Sequence, residues 1–181
     1  ARPCSIVGEI QHPVYRSHFD SPLVLLQASP GCLHPESLAG VLQERQREVI
    51  WLRFGAEDRD PANCLLSLVG AFGRFEPQAV EAARLLIHRE PGPLYGWPRL
   101  YSGLAAGIRD AIHSPVTLVL QNTDPLGSPL PSLRLLGEHF LPHLPGNLQV
   151  VLTATATLAL HAPSRPTTWI NEKELLLDEI T

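Results

Sequence analysis

The chain has 181 residues, 44% of them hydrophobic and 18% charged, with a formal net charge of −4. That length suits one α/β domain, or one with the start of another. An acidic balance with a pI near 6.1 leaves no basic footprint for direct nucleic-acid contact. No run reaches the ~18 apolar residues of a membrane span, and no basic-then-apolar leader opens the chain.

The three cysteines (Cys4, Cys32, Cys64) are odd in number and widely spaced. They point to reduced thiols and a cytoplasmic setting, not to a disulfide framework. Ala1 with no methionine anywhere suggests a chain trimmed from something longer.

Residues 1–20 form a lead-in, with a short apolar patch at Ile6, Val7 and Ile10. Leu23–Gln27 is a continuous apolar run closed by one polar residue, as expected of a strand buried on both faces. A tight loop from Ala28 to His34 leads to a helix opening at Pro35, with Leu38, Val41 and Leu42 on one face. Val49–Leu52 is expected to be a second buried strand, followed by the polar stretch Gly55–Asp60, whose acids Glu57 and Asp58 suit a solvated loop. Asp60-Pro61 is a helix start, a carboxylate cap and then proline at the first turn. Leu65, Leu68, Val69 and Phe72 recur behind it at i, i+3, i+4, i+7.

Glu76-Pro77 opens another helix, reaching about His88 and ended by the breakers Glu90–Pro93. Pro98 starts a helix whose Tyr101, Leu104, Ala105, Ile108 and Ile112 make one stripe. Val116–Leu120 is a third buried strand. Ser128-Pro129 caps a helix expected to run to about Leu141, and Leu148–Leu152 is a fourth strand. Thr168–Ile170 and Leu175–Leu177 are a fifth strand or the lead into a following domain. Strands alternating with helices imply a three-layer α/β fold: an open, mainly parallel five-stranded sheet with helices on both faces. The expected organisation is a lead-in over 1–20, an α/β domain over 21–166, and a last strand with the start of a linker over 167–181.

The order of segments resembles the nucleotide-binding domain of signal-transduction ATPases with numerous domains, in the branch of the maltose-regulon activator and the large LuxR-type regulators. LVLLQASPGCLHPESL is similar to that branch's strand and phosphate loop, and EVIWLRFGAEDRDPANCLLSLVGAF to its second strand, acidic turn and helix. LVLQNTDPL stands where the branch has a strand ending in two acids. HFLPHLPGNLQVVLTAT resembles its Pro-x-Asn-Leu strand, and WINEKELLLDE its closing segment. The resemblance covers roughly residues 21–181. It implies a P-loop NTPase-like fold in a bacterial transcription regulator, where nucleotide governs self-association.

The departures from that pattern decide the expected chemistry. An active loop reads G-x-x-x-x-G-K-[ST], in which backbone N–H groups cradle phosphates, Lys reaches the outer phosphates and a hydroxyl holds Mg²⁺. Over Ser29, Pro30, Gly31, Cys32, Leu33, His34, Pro35, Glu36 and Ser37, His34 replaces the second glycine, Pro35 the lysine and Glu36 the Ser/Thr. Pro35 has no N–H to offer. Glu36 places a carboxylate at the helix N-terminus, where it is favourable by ~0.3–1 kcal/mol and repels a triphosphate. Gln121 and Asn122 replace the two acids, Asp124 lies in a turn beyond them, and Thr153-Ala154 stands where the branch has Thr-Arg. ATP and Mg²⁺ binding is therefore expected to be lost or very weak, with no cofactor and no hydrolysis.

Other constellations are thin. Cys32 and His34 alone supply neither a positioned catalytic base nor a structural zinc set. His139 and His143 straddle Pro142, and Trp51, Trp97 and Trp169 suit packing. No G-x-S-x-G occurs. The expectation is a non-catalytic regulatory or scaffold domain whose partners are proteins, other domains of its own chain or further copies of itself. The alternatives are a partner-completed NTPase and an unrelated small-molecule-binding α/β domain.

Overall fold

A computed structural model describes residues 17–29, 35–89, 96–127, 131–160 and 165–171. Among the described residues there are five strands and five α-helices. They are β1 (Leu23–Gln27), α1 (Pro35–Gln43), β2 (Glu48–Arg53), α2 (Pro61–Phe75), α3 (Gln78–Arg89), α4 (Trp97–Ala111), β3 (Val116–Gln121), α5 (Pro131–Leu135), β4 (Leu148–Ala154) and β5 (Thr167–Asn171). Every strand pair is parallel, in the order β2-β3-β4-β1-β5. The sheet is thus wholly parallel.

This order dictates where the helices go. The connection from β1 travels across β4 and β3 to reach β2, and every later connection moves back the other way. Crossovers between parallel strands are right-handed, so a reversal of travel moves the helices to the opposite face. Two apolar clusters follow. On one face Val24, Leu26, Val119 and Val151 pack with Leu38, Val41 and Leu42 of α1 and with Phe19. On the other, Leu23, Leu25, Ile50, Leu118, Val150 and Leu152 pack under α2, α4 and the segment around α5. Each fully buried Leu or Phe side chain contributes on the order of 1.5–3 kcal/mol.

The apolar run at 23–26 and the strands expected at 116–120 and 148–152 are the three central strands, buried throughout, with Thr117 and Gln149 as their polar members. The strand expected to be buried over Val49–Leu52 is buried only at Ile50 and Leu52. Its place at the sheet edge leaves Val49 and Trp51 half-buried. Asp60 caps α2, its carboxylate accepting from the N–H groups of Ala62 (2.8 Å) and Asn63 (3.4 Å).

The helix after β3 is also unlike its expectation. Regular α geometry ends at Leu135, a π turn spans Leu136–Phe140, and a 3₁₀ turn Leu141–His143 follows. Pro142 has no N–H for the carbonyl four residues back. Before it, Leu141 N–H reaches instead to the Leu136 carbonyl, five residues away.

Beyond the central strands, β5 joins the sheet beside β1, with Leu25 level with Trp169. Trp169 is 43% exposed there. At the amino edge, the Gln149 amide donates to the carbonyls of Ser21 (2.8 Å) and Phe19, which fastens the 3₁₀ turn Ser17–Asp20 to the sheet. The breakers at 90–93, the Ser128-Pro129 cap and Leu175–Leu177 lie outside the described residues.

Candidate functional site

In an open α/β sheet the ligand crevice lies at the carboxyl ends of two adjacent strands whose connections leave in opposite directions. Here those strands are β1, whose connection crosses to β2, and β4, whose connection crosses to β5. Parallel register sets Gln27 level with Ala154, and the Ala28 N–H donates to the Ala154 carbonyl (3.0 Å). The β1–α1 loop therefore begins at the topological switch point.

Of the loop residues, Ser29 is exposed just past the strand. Pro30, Gly31, Cys32, Leu33 and His34 lie outside the described residues. Pro35, Glu36 and Ser37 form the first turn of α1. Pro35 thus occupies a first-turn position, where its missing N–H is one a helix start leaves unpaired in any case. Such a position cannot supply a phosphate nest with a donor.

Across the crevice, the ends of β3 and β4 are stitched to each other and to β2. Gln121 closes β3, its carbonyl taking the Phe54 N–H (3.0 Å). Asn122 follows in left-handed backbone conformation (φ 56°), which Asn tolerates better than most side chains. Its N–H donates to the Thr153 hydroxyl (3.1 Å) and its side-chain amide to the Phe54 carbonyl (2.8 Å). Thr123, fully buried, donates its N–H (2.9 Å) and hydroxyl (3.0 Å) to the Thr153 carbonyl.

Asp124 opens the 3₁₀ turn Asp124–Leu126, but its carboxylate does not cap that turn. It accepts from the N–H groups of Thr155 (2.9 Å) and Ala156 (2.8 Å) and from the Thr155 hydroxyl (2.9 Å). Gln27 reaches the Thr157 hydroxyl (3.3 Å) from the β1 side. Of the positions singled out in the sequence, Gln121, Asn122, Asp124, Thr153 and Ala154 do converge on one edge with Ser29. Thr153 accepts from Asn122, Asn122 spans to β2, and Asp124 holds the chain after β4. The Asn122 amide and the Asp124 carboxylate are thus engaged with neighbouring segments of the chain.

A second polar group was not expected from the sequence. Asp58 is 2% exposed, and its carboxylate accepts from the Gly55 N–H (2.7 Å) and the Ser67 hydroxyl (2.6 Å). The three-residue spacing from Gly55 to Asp58 is that of an acid reaching back to a helix start, the signal from which this burial could have been found. Beneath lies Cys64, with burial pushing its thiol up to about 12, against a smaller lowering by the Tyr101 hydroxyl and a further rise from the nearby Asp58 charge. Tyr101 donates to the Pro61 carbonyl (3.0 Å), and burial raises its hydroxyl as well. A thiol held protonated is a packing group, not a nucleophile.

Among the described residues no three His, Cys, Asp or Glu side chains gather within metal-holding reach, and no helix is long and apolar enough to cross a membrane. Compared with models of known protein families the chain matches none, and no curated protein matches it.

Proposed function

We propose that this chain is a non-catalytic regulatory or scaffold domain, ATPase-like in architecture, that works through protein–protein contacts. One observation carries the reading: at the carboxyl edge the side chains of Asn122, Thr153 and Asp124 are engaged in bonds with neighbouring segments of the chain. Asn122 donates to Phe54 and Thr153, and Asp124 takes two N–H groups and a hydroxyl. Turning the Asn122 amide toward a nucleotide would leave the part-buried Phe54 carbonyl without its donor, at about 1 kcal/mol or more. Pro35 at the helix start and Gln121 in place of an acid support the same reading.

A site without differential affinity for a ligand cannot be switched by it. Regulation then passes through contacts with other domains or other chains. By the resemblance of its segments, the module belongs to a cytoplasmic bacterial transcription regulator, whose DNA-binding part is a separate domain. Isothermal titration with ATP and Mg²⁺ tests the proposal. The expected result is no heat beyond dilution and no phosphate release at high protein concentration; binding in the micromolar range overturns it.

A further inference from the structure

The outer edge of β2 and the surface beside it form a patch distinct from the carboxyl-edge crevice. The Phe54 N–H faces β3, donating to the Gln121 carbonyl. By alternation along a strand, the backbone groups of Leu52 and Ile50 face β3 too, and those of Val49, Trp51 and Arg53 point outward. Among the described residues no strand pairs with that side.

Next to it an open groove of about 490 Å³ runs between the edge and α2, with Leu52, Glu57, Asn63, Leu66, Gly70 and Arg74 in its walls. Asn63, Leu66, Gly70 and Arg74 follow one another at three- and four-residue steps, a single stripe of α2 turned from the core. Leu66 is 51% exposed, and Glu57 and Arg74 are exposed as well. Along its length the patch reads acid, apolar, base.

Such an order is its own complement after a half-turn, the condition for an isologous interface in which residue i meets j and j meets i. We infer that this patch joins two copies of the chain, with their β2 edges pairing antiparallel and their α2 stripes facing each other across a twofold axis. Residues opposite one another in an antiparallel pair share a face, so the axis must pass at a residue and not between two. Centred on Trp51, it uses every outward-facing residue: Trp51 meets its own mate and Val49 meets the second copy's Arg53. The α2 helices then run antiparallel. Arg74 approaches the second copy's Glu57, and Leu66 approaches the second copy's Gly70, filling the groove. Any other occupant would have to bring a base, an apolar residue and an acid in matching order, which this chain already displays.

The inference rests on the reading of the chain as a contact-driven module, and oligomeric state tests it separately from nucleotide binding. Light scattering across a concentration series up to millimolar should show a monomer–dimer equilibrium. Leu66→Asp, at an exposed position, should leave the circular dichroism and melting curve unchanged and raise the dimer dissociation constant about tenfold or more. Glu57→Arg and Arg74→Glu should each weaken the homodimer, since each sets like charges together at both symmetry-related contacts. An equimolar mixture of these two variants should pair again, because the heterodimer restores opposite charges at both. A chain that stays monomeric throughout overturns the inference and leaves the nucleotide result untouched. So does a dimer indifferent to all three substitutions, or a mixture no tighter than its components.

Discussion

Asp58 shows how a single acid can be structural where its neighbours are solvated. Glu57 and Asp60 flank it in exposed positions, while its own carboxylate ties Gly55 to Ser67. Asp58→Ala would leave a part-buried N–H and a part-buried hydroxyl without their acceptor. The expected loss is about 3 kcal/mol in urea unfolding, well above the ~1 kcal/mol from removing the exposed Asp60 cap. Cys64 gives a pH-dependent counterpart. Below its ordinary value of 9.0 the thiol is protonated in both folded and unfolded chains, so its full contribution to stability is present. Between 9.0 and about 12 the unfolded thiol ionises and the folded one holds its proton. Stability should therefore fall as pH rises through that window, by about 1.4 kcal/mol per pH unit. Cys64→Ala should flatten the first part of that slope in unfolding measurements at stepped pH, before the raised Tyr101 hydroxyl adds a loss of the same sign.

At the scale of elements, two helical glycines separate intrinsic preference from packing. Gly107 in α4 lies against α3 so closely that a Cβ would stand 2.4 Å from the Ala79 carbonyl oxygen. Gly40 in α1 has nothing within 4 Å of the same position. Alanine is better than glycine in a helix by ~0.8–1 kcal/mol. Gly40→Ala should accordingly stabilise by up to about that amount. Gly107→Ala should destabilise by about 1–3 kcal/mol, because backbone cannot yield and α3 must move. Thermal melts of the two single variants check the opposite signs. Neither sign is visible in the sequence, where each is a glycine inside an amphipathic helix.

Element identity was far easier to read than placement. The apolar runs of β1, β3 and β4 and the Asp60-Pro61 start of α2 announce themselves locally, because burial on both faces and a capping carboxylate leave signatures within a few residues. Placement depends on partners distant in the chain. Nothing in Val49–Leu52 says that it ends a sheet, so the half-burial of Val49 and Trp51 is not legible there. Nor does the run after Pro131 reveal that Pro142 will convert a helix into a π turn. The candidate site was legible as residue types: Asn122 stands where the resembling family has an acid, and Thr153 where it too has a threonine. Their mutual hydrogen bond follows only from the adjacency of β3 and β4.

For the molecule as a whole, ligand linkage offers a readout that does not depend on finding a reaction. A ligand that binds only the folded chain adds RT ln(1 + [L]/Kd), about 2.7 kcal/mol at a hundredfold excess over Kd. For a domain of this size each kcal/mol moves the melting temperature by roughly 2–4 °C. A retained nucleotide site of micromolar affinity would thus raise the melting temperature by several degrees in millimolar ATP and Mg²⁺. The expected shift is none beyond that of an equal concentration of pyrophosphate and Mg²⁺, which controls for ionic strength and weak anion contacts. Replacing Pro35 by Lys and Glu36 by Thr would restore the lysine and hydroxyl of a phosphate loop. The double variant should still show no shift, because Asn122, Asp124 and Thr153 remain occupied across the crevice. A nucleotide-specific shift in the double variant alone would locate the loss in the loop and show that the opposite wall is still competent.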